Sequence, residues 1–417
     1  MEITSQPTFD REHKISKIVN YQEGLYKSNR SIKAMKFSLF SEAFSKQNET
    51  GVLENLSPLG SIINQTSKLA QTAVRKTVKS TEKVPGVSYF VVETQVLLDS
   101  VLEDAIKQSA INITAYLGIF FHTINHIYAN SYASDESFPT IEFQVSNFAT
   151  LSKTIEEKIF KSQSYNGDNI VDIEMVLKRI RNYGKRTNGK YDKYDHTILL
   201  TGRDLYRKVN DMFEPDVLGV AYLRGACTKS DDEKYESFSV VEDIGGHFLG
   251  VYPVVHEFAH NFGVKHDSKK KHCSAAEGFI MSPSTLRTEN MFQFSSCSLE
   301  SMKEFLLSSK SKCLAKTTVK PAIPPNQFKE FPGDHYNMSD LCEYFARINY
   351  NEAGRVFVNP SKSPSYLCKQ LSCKITISTN KKIVFEPPFA PGENIRCGYY
   401  GEGRCINGEC VESQREP

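Results

Sequence analysis

Cysteine is missing from the first half of this chain: none precedes Cys227, the first of ten. That absence excludes a disulfide or a thiolate metal ligand in the N-terminal part. Charge of one sign is lacking too, with 51 Lys and Arg against 49 Asp and Glu in 417 residues and no polybasic arm. Nucleic acid or an anionic membrane is therefore not expected as the main target. Long apolar runs are also absent. The longest, around Ala115–Ile127, is interrupted by His122, Asn125 and His126 and is too short to span a bilayer. Met1–Pro7 has neither the basic stretch nor the apolar core of a secretory signal peptide.

What is present fits a folded, disulfide-bonded chain. A hydrophobic content of 40% over this length supports a real core and two or three domains. Four cysteines (Cys227, Cys273, Cys297, Cys313) lie together. Six more (Cys342, Cys368, Cys373, Cys397, Cys405, Cys410) crowd the C-terminal part. An even number at this density reads as a disulfide framework formed in an oxidising compartment, so a secreted, extracellular protein is expected. No C-x-x-C pair occurs, which argues against a second, structural zinc site. N-x-S/T sequons at Asn29, Asn48, Asn55, Asn64, Asn112 and Asn337 are compatible with a glycoprotein.

The chemistry sits in His256-Glu257-Phe258-Ala259-His260-Asn261-Phe262-Gly263-Val264-Lys265-His266-Asp267. On a helix, residues four apart share a face, so His256 and His260 point the same way. Gly263 is the residue type that takes φ > 0 and ends such a helix, and the chain can then return His266 as a third ligand. Three imidazoles at this spacing describe a catalytic Zn2+ site with its fourth position open to water, whose pKa zinc lowers toward ~7. Glu257, beside the first ligand, is placed to take that water's proton as general base and to pass it to the leaving amine. His122 and His126 are also four apart, but no Glu follows His122 and no third ligand follows His126. They are expected as helix-face histidines.

With Met281 in Glu277-Gly278-Phe279-Ile280-Met281-Ser282-Pro283, the motif resembles the metzincins, zinc peptidases with a methionine turn beneath the three histidines. Asp267 directly after the third histidine narrows the resemblance to the reprolysin (adamalysin) branch. So does Asp195-His196-Thr197-Ile198-Leu199-Leu200-Thr201-Gly202-Arg203-Asp204, which resembles a buried strand of that family. The resemblance implies an α/β fold, a twisted mixed sheet with an active-site helix and Met-turn. It also implies that Gly219 and Ala221, in Leu218-Gly219-Val220-Ala221-Tyr222, belong to an edge strand that pairs with the extended substrate. It assigns Asp267 to anchoring the third-ligand loop, and the pairs Cys227–Cys313 and Cys273–Cys297. Phe294-Ser295-Ser296-Cys297-Ser298 and Phe305-Leu306 resemble the start of the domain's last helix. The family often carries a structural Ca2+; Glu93 could take part, but Lys316 stands where an Asn ligand is usual, and no calcium is assigned.

Phe331-Pro332-Gly333-Asp334-His335-Tyr336, Cys368-Lys369-Gln370-Leu371-Ser372-Cys373 and Cys405-Ile406-Asn407-Gly408-Glu409-Cys410-Val411 resemble the ADAMTS-type cysteine-rich module, with fewer cysteines than usual. The layout is similar to secreted metalloproteases of arthropod saliva and venom, such as those of ticks, scorpions and parasitoid wasps. Four segments follow. Residues 1–84 read as an N-terminal extension or pro-segment remnant that has no cysteine to hold a zinc site latent. Residues 85–316 read as the catalytic domain, 317–330 as a stiff Pro-rich linker, and 331–417 as a small disulfide-rich module of open connectivity. The expected function is a secreted zinc endopeptidase, a monomer acting on extracellular proteins as a venom or salivary effector. The alternative is a binding protein that acts through its cysteine-rich tail.

Overall fold

Tyr89–Leu98 opens and closes on apolar residues and is buried on both faces, the pattern of a strand covered above and below. In the computed structural model it is an interior strand of a five-stranded sheet. The structure describes residues 88–412 apart from 162, 166–167, 188, 210–211, 216, 233, 244–245, 269–272, 350–353, 379–380 and 388. The segment 1–84 lies outside the described residues.

In chain order the elements are β1 (Tyr89–Leu98), α1 (Ser100–Gln108), α2 (Ile113–Tyr132), β2 (Thr140–Thr150), α3 (Lys153–Ile159), β3 (Gln163–Tyr165), β4 (Asp168–Asp172), α4 (Ile173–Arg186), β5 (His196–Thr201), β6 (Leu205–Val209), β7 (Met212–Pro215), β8 (Gly219–Ala221), β9 (Phe238–Glu242), α5 (Val251–Asn261) and α6 (Ser296–Leu306). The main sheet runs β2-β1-β5-β9-β8. Its first four strands are parallel and β8 is antiparallel at the far edge. A smaller sheet, β3-β4-β6-β7, stands apart.

Successive strand residues point to opposite faces, and the sheet uses this to serve two cores. Ile198 and Leu200 of β5 face the side covered by α2 and α5, with Val92, Val96 and Val241. Leu199, between them, joins Phe238, Val240 and the α4 residues Val176, Leu177 and Ile180 on the other side. α2 begins at Asn112, whose side chain accepts the Ala115 amide at 2.8 Å. The α2 histidines sit on a partly exposed face, with both rings within 5 Å of the Phe331 ring.

The Pro-rich segment 317–330 is not a free spacer. The Ala322 and Ile323 amides donate to the Val145 carbonyl at 2.9 and 3.3 Å, and Ile323 is buried. This covers the outer edge of β2, which would otherwise expose unpaired backbone groups.

The C-terminal module holds α7 (Met338–Asn349), β10 (Val356–Val358), α8 (Pro364–Lys369), β11 (Cys373–Ser378), β12 (Lys381–Phe385), β13 (Arg396–Cys397), β14 (Gly403–Ile406) and β15 (Glu409–Glu412). Cys342–Cys373, Cys368–Cys405 and Cys397–Cys410 cross-link it, the connectivity that spacing alone leaves open. The module packs directly on the first domain. Leu249 of that domain is buried in the module's core, and Tyr336 Oη donates to the His247 carbonyl at 2.8 Å.

Candidate metal centre

α5 carries the first two histidines into the interior, and its placement is fixed from three directions. Before its first turn, Asp243 accepts the Gly250 amide at 3.0 Å and the Tyr116 hydroxyl at 2.7 Å. Midway, Tyr128 Oη donates to the Val255 carbonyl at 2.9 Å. At the end, Asn261 Nδ2 donates to the Tyr222 carbonyl at 3.1 Å, and its Oδ1 lies 3.0 Å from His196 Nδ1 in β5. His196 Nε2 is in turn 2.8 Å from Ser239 Oγ of β9. Burial pushes the His196 imidazole down to a pKa of about 3, so the strut is neutral.

The helix stops at Asn261, and Gly263 has φ +93°, a conformation that a side chain strains. The reversal brings His266 back to the other two. The three Nε2 atoms of His256, His260 and His266 form a triangle with every side 3.0 Å. Outward, His256 Nδ1 lies 2.7 Å from the Ile280 carbonyl and His260 Nδ1 2.7 Å from the Val264 carbonyl. A carbonyl only accepts, so each Nδ1 carries the proton and each Nε2 presents a lone pair inward. Burial is the main cause that keeps the rings neutral: it lowers His260 to about 4, His266 to about 2, and His256 well below the ordinary range.

Glu257 is fully buried, and neither carboxylate oxygen has a hydrogen-bond partner among the described residues. Burial drives its pKa well above the ordinary carboxylate range. A buried carboxylate left unpaired is costly unless something absent from the protein alone completes it.

These residues fit a zinc ion. Corners of a 3.0 Å triangle lie about 1.7 Å from its centre, inside the ~2.0–2.1 Å reach of a zinc–imidazole bond. Three neutral nitrogens, two of them with the outer ring atom held by a carbonyl, beside an unpaired carboxylate, make the donor set of a catalytic rather than a closed structural site. In two other groupings, Asp195 with Cys227 and Cys313, and Cys368 with Cys397 and Cys410, every sulfur is already in a disulfide, which leaves at most one free ligand atom.

The surrounding turns are tied to the ligands. Met281 is fully buried, and its carbonyl accepts the Asp267 amide at 2.9 Å. Asp267 Oδ1 accepts Ser295 Oγ at 2.6 Å and Ser298 Oγ at 3.3 Å, which fastens the His266 loop to the first turn of α6. Cys227 pairs with Cys313 and Cys273 with Cys297. Gly219 and Ala221 lie in β8, the last strand of the sheet, and Gly219 packs on Glu257.

Comparison with known proteins agrees with this centre. Residues 166–318 match the model of the Reprolysin (M12B) family zinc metalloprotease. Over these residues the chain is similar to the reprolysin branch of the metzincins. A disintegrin and metalloproteinase with thrombospondin motifs 16 from Homo sapiens is 32% identical over 222 residues, covering 53% of this chain and 16% of that protein. A disintegrin and metalloproteinase with thrombospondin motifs like from Bombyx mori is 28% identical over 231 residues, covering 52% of this chain and 30% of that protein. The matched region of this chain is thus a minor part of these relatives' length. The solved structure of Tannerella forsythia mature mirolysin in complex with a cleaved peptide aligns at 12% identity with a TM-score of 0.30. It covers 55% of this chain and 99% of that one, and the score is too low to carry an argument.

The sequence motif names the three histidines and the glutamate of this centre but not the residues that hold them. Asn261 lies inside the motif at a position the spacing pattern leaves open, and Asp243 and Tyr116 are outside it. Only the fold brings these together.

Proposed function

We propose that this chain is a secreted zinc-dependent endopeptidase that hydrolyses peptide bonds of extracellular proteins, serving as a venom or salivary effector. The observation that carries the peptidase reading is the triangle of His256, His260 and His266 Nε2 atoms beside the buried, unpaired carboxylate of Glu257.

The chemistry that zinc supplies when bound is Lewis-acid polarisation of a carbonyl and acidification of water. His256, His260 and His266 would hold it, each imidazole neutral, with the first two aimed by the Ile280 and Val264 carbonyls. Glu257 takes the proton of the attacking water and delivers it to the leaving amine, the task for which a carboxyl group of raised pKa is suited. Among the described residues β8 pairs with β9 on one side only, and its other edge aligns an extended substrate by main-chain hydrogen bonds. Ten cysteines, all in disulfides, support an oxidising, extracellular setting. No helix among the described residues is long and apolar enough to cross a membrane.

The test is hydrolysis of gelatin and of a quenched peptide library by the purified chain, with and without a zinc chelator, beside Glu257→Ala. Chelator-sensitive cleavage by the native chain that disappears in a folded, zinc-loaded variant supports the reading. Cleavage that persists in the variant refutes the assigned role of Glu257.

A further inference from the structure

Two exposed cations, Arg224 and Lys265, stand beside the end of the active-site helix, and neither pairs with a carboxylate among the described residues. Arg224 follows β8 by three residues, and its amide donates to the His260 carbonyl at 3.0 Å. Its φ of +60° is in the left-handed region, which long side chains seldom occupy. The stem is anchored. A β-carbon placed on Gly263 would collide with Arg224 Cγ and stand 2.7 Å from its Nε, so the side chain lies over the glycine that turns the chain between His260 and His266. Lys265 is two residues past that glycine, within ~8 Å of it by Cα steps. A guanidinium serving only as a helix cap would donate to the last carbonyls of α5. The Arg224 side chain makes no hydrogen bond among the described residues. Glu236, whose carbonyl crowds Gly225, has its carboxylate among Lys234, Arg181 and Lys185 instead.

We propose that Arg224, assisted by Lys265, is a specificity residue that recognises an acidic side chain, Asp or Glu, of the substrate about two to five residues from the scissile bond. The proposal deepens the peptidase reading and rests on it. Position carries the first step. β8 runs along α5: Gly219 packs on Glu257 at one end, and the Tyr222 carbonyl accepts Asn261 Nδ2 past the other. Arg224 lies beyond the end remote from Glu257, and five residues of extended chain reach at most ~17 Å. A substrate laid along the same edge advances at the same rise, so it brings a residue some places away from the cleaved bond to Arg224. Chemistry carries the second step. The guanidinium fork matches a carboxylate in shape and charge, and a stem already held against Gly263 loses less freedom when the pair forms.

The experiment uses the full, zinc-loaded chain and one cleavable peptide in which Asp, Asn or Lys is placed singly at each of about five positions on either side of the scissile bond. At an ionic strength of about 0.02 M, Asp is expected to exceed Asn in kcat/KM by about three- to fivefold at a position away from the bond, mainly through KM. The ratio should fall toward one at about 1 M salt. Arg224→Gln should abolish the preference, and so should Arg224→Gly, in which glycine suits the positive φ and the fold is kept. Arg224→Glu should favour Lys over Asp at the same position, an inversion that a structural role for Arg224 would not produce. A native Asp-to-Asn ratio of one at every position away from the bond overturns the proposal. So does a ratio that survives in folded, zinc-loaded Arg224→Gln and Arg224→Gly. A second arm does not depend on turnover: fluorescence anisotropy of the labelled Asp and Asn peptides with zinc-loaded Glu257→Ala. Tighter binding of an Asp peptide that is lost on adding Arg224→Gln supports the assignment even if no peptide is cleaved, which would refute only the peptidase reading. Equal binding of the Asp and Asn peptides overturns the assignment even where peptides are cleaved.

Discussion

A β-carbon placed on Gly219 would stand 2.7 Å from Oε1 of Glu257. The edge strand and the buried carboxylate are therefore in contact, and the strand's lack of a side chain at this point sets where the carboxylate rests. The relation links two roles, since the strand proposed to align the substrate also positions the proposed base.

Gly219→Ala tests that link. The added methyl pushes the carboxylate by several tenths of an ångström, and misplacement on the ångström scale costs up to ~100-fold in rate. The expected outcome is a loss of about 10- to 100-fold in kcat/KM with zinc content and melting temperature near the native values. A folded variant with native kcat/KM would show that the contact does not position Glu257.

Asp267 makes a second, independent prediction. Its amide is tied to the Met281 carbonyl and its carboxylate to Ser295 and Ser298, so it fixes the loop that returns His266. Groups that orient a ligand from outside typically change metal affinity by 10- to 100-fold when removed. Asp267→Ala should weaken zinc binding by about that factor, read by competition with a chromophoric chelator. Zinc affinity equal to the native chain's would mean that the loop holds without this anchor.

How much of this was legible beforehand depends on the range of each interaction. The His256–His260–His266 spacing is local, set by one helix and one glycine, and a linear motif records it fully. The apolar run of β1 likewise betrays a covered strand. Asn261 is different: its amide bridges to Tyr222 and His196, which only the sheet brings near. The segment 317–330 shows the same limit. Its prolines describe a stiff chain, but that the chain lies along β2 is decided by the unpaired edge at Val145, a long-range partner that composition does not reveal. The module's contact with α5, where the Tyr252 hydroxyl donates to Glu393, depends on docking between domains and left no sequence signal.

Glu93 bears on calcium. Its carboxylate accepts the Thr318 amide at 2.6 Å, the Thr318 hydroxyl at 2.7 Å and the Val319 amide, so it clamps β1 to the chain that follows Cys313. Both carboxylate oxygens are thus already engaged, and a cation here would compete with these three donors. The melting temperature at fixed zinc is therefore expected to be the same with and without millimolar calcium. Glu93→Ala, which strands the donors, should destabilise by about 3 kcal/mol. A calcium-dependent rise in the native melting temperature would refute this clamp as a substitute for an ion.

Asp243 predicts a pH dependence whose sign is fixed. Burial raises its pKa from 3.8 to about 6, against the opposing hydrogen bonds from Tyr116 and Gly250. The folded chain thus holds this proton more tightly than the unfolded chain. The resulting stabilisation is fully present below pH 3.8 and is lost as pH rises through about 6. The whole change amounts to about 3 kcal/mol. Asp243→Asn has no proton to lose there, although it forfeits one acceptor at every pH. Urea denaturation of both chains at matched zinc between pH 4 and 7 should show the variant gaining on the native chain as pH rises, with most of the gain complete near pH 6. Parallel profiles would mean that Asp243 titrates at its ordinary value and that the entry to α5 is less dry than its burial implies.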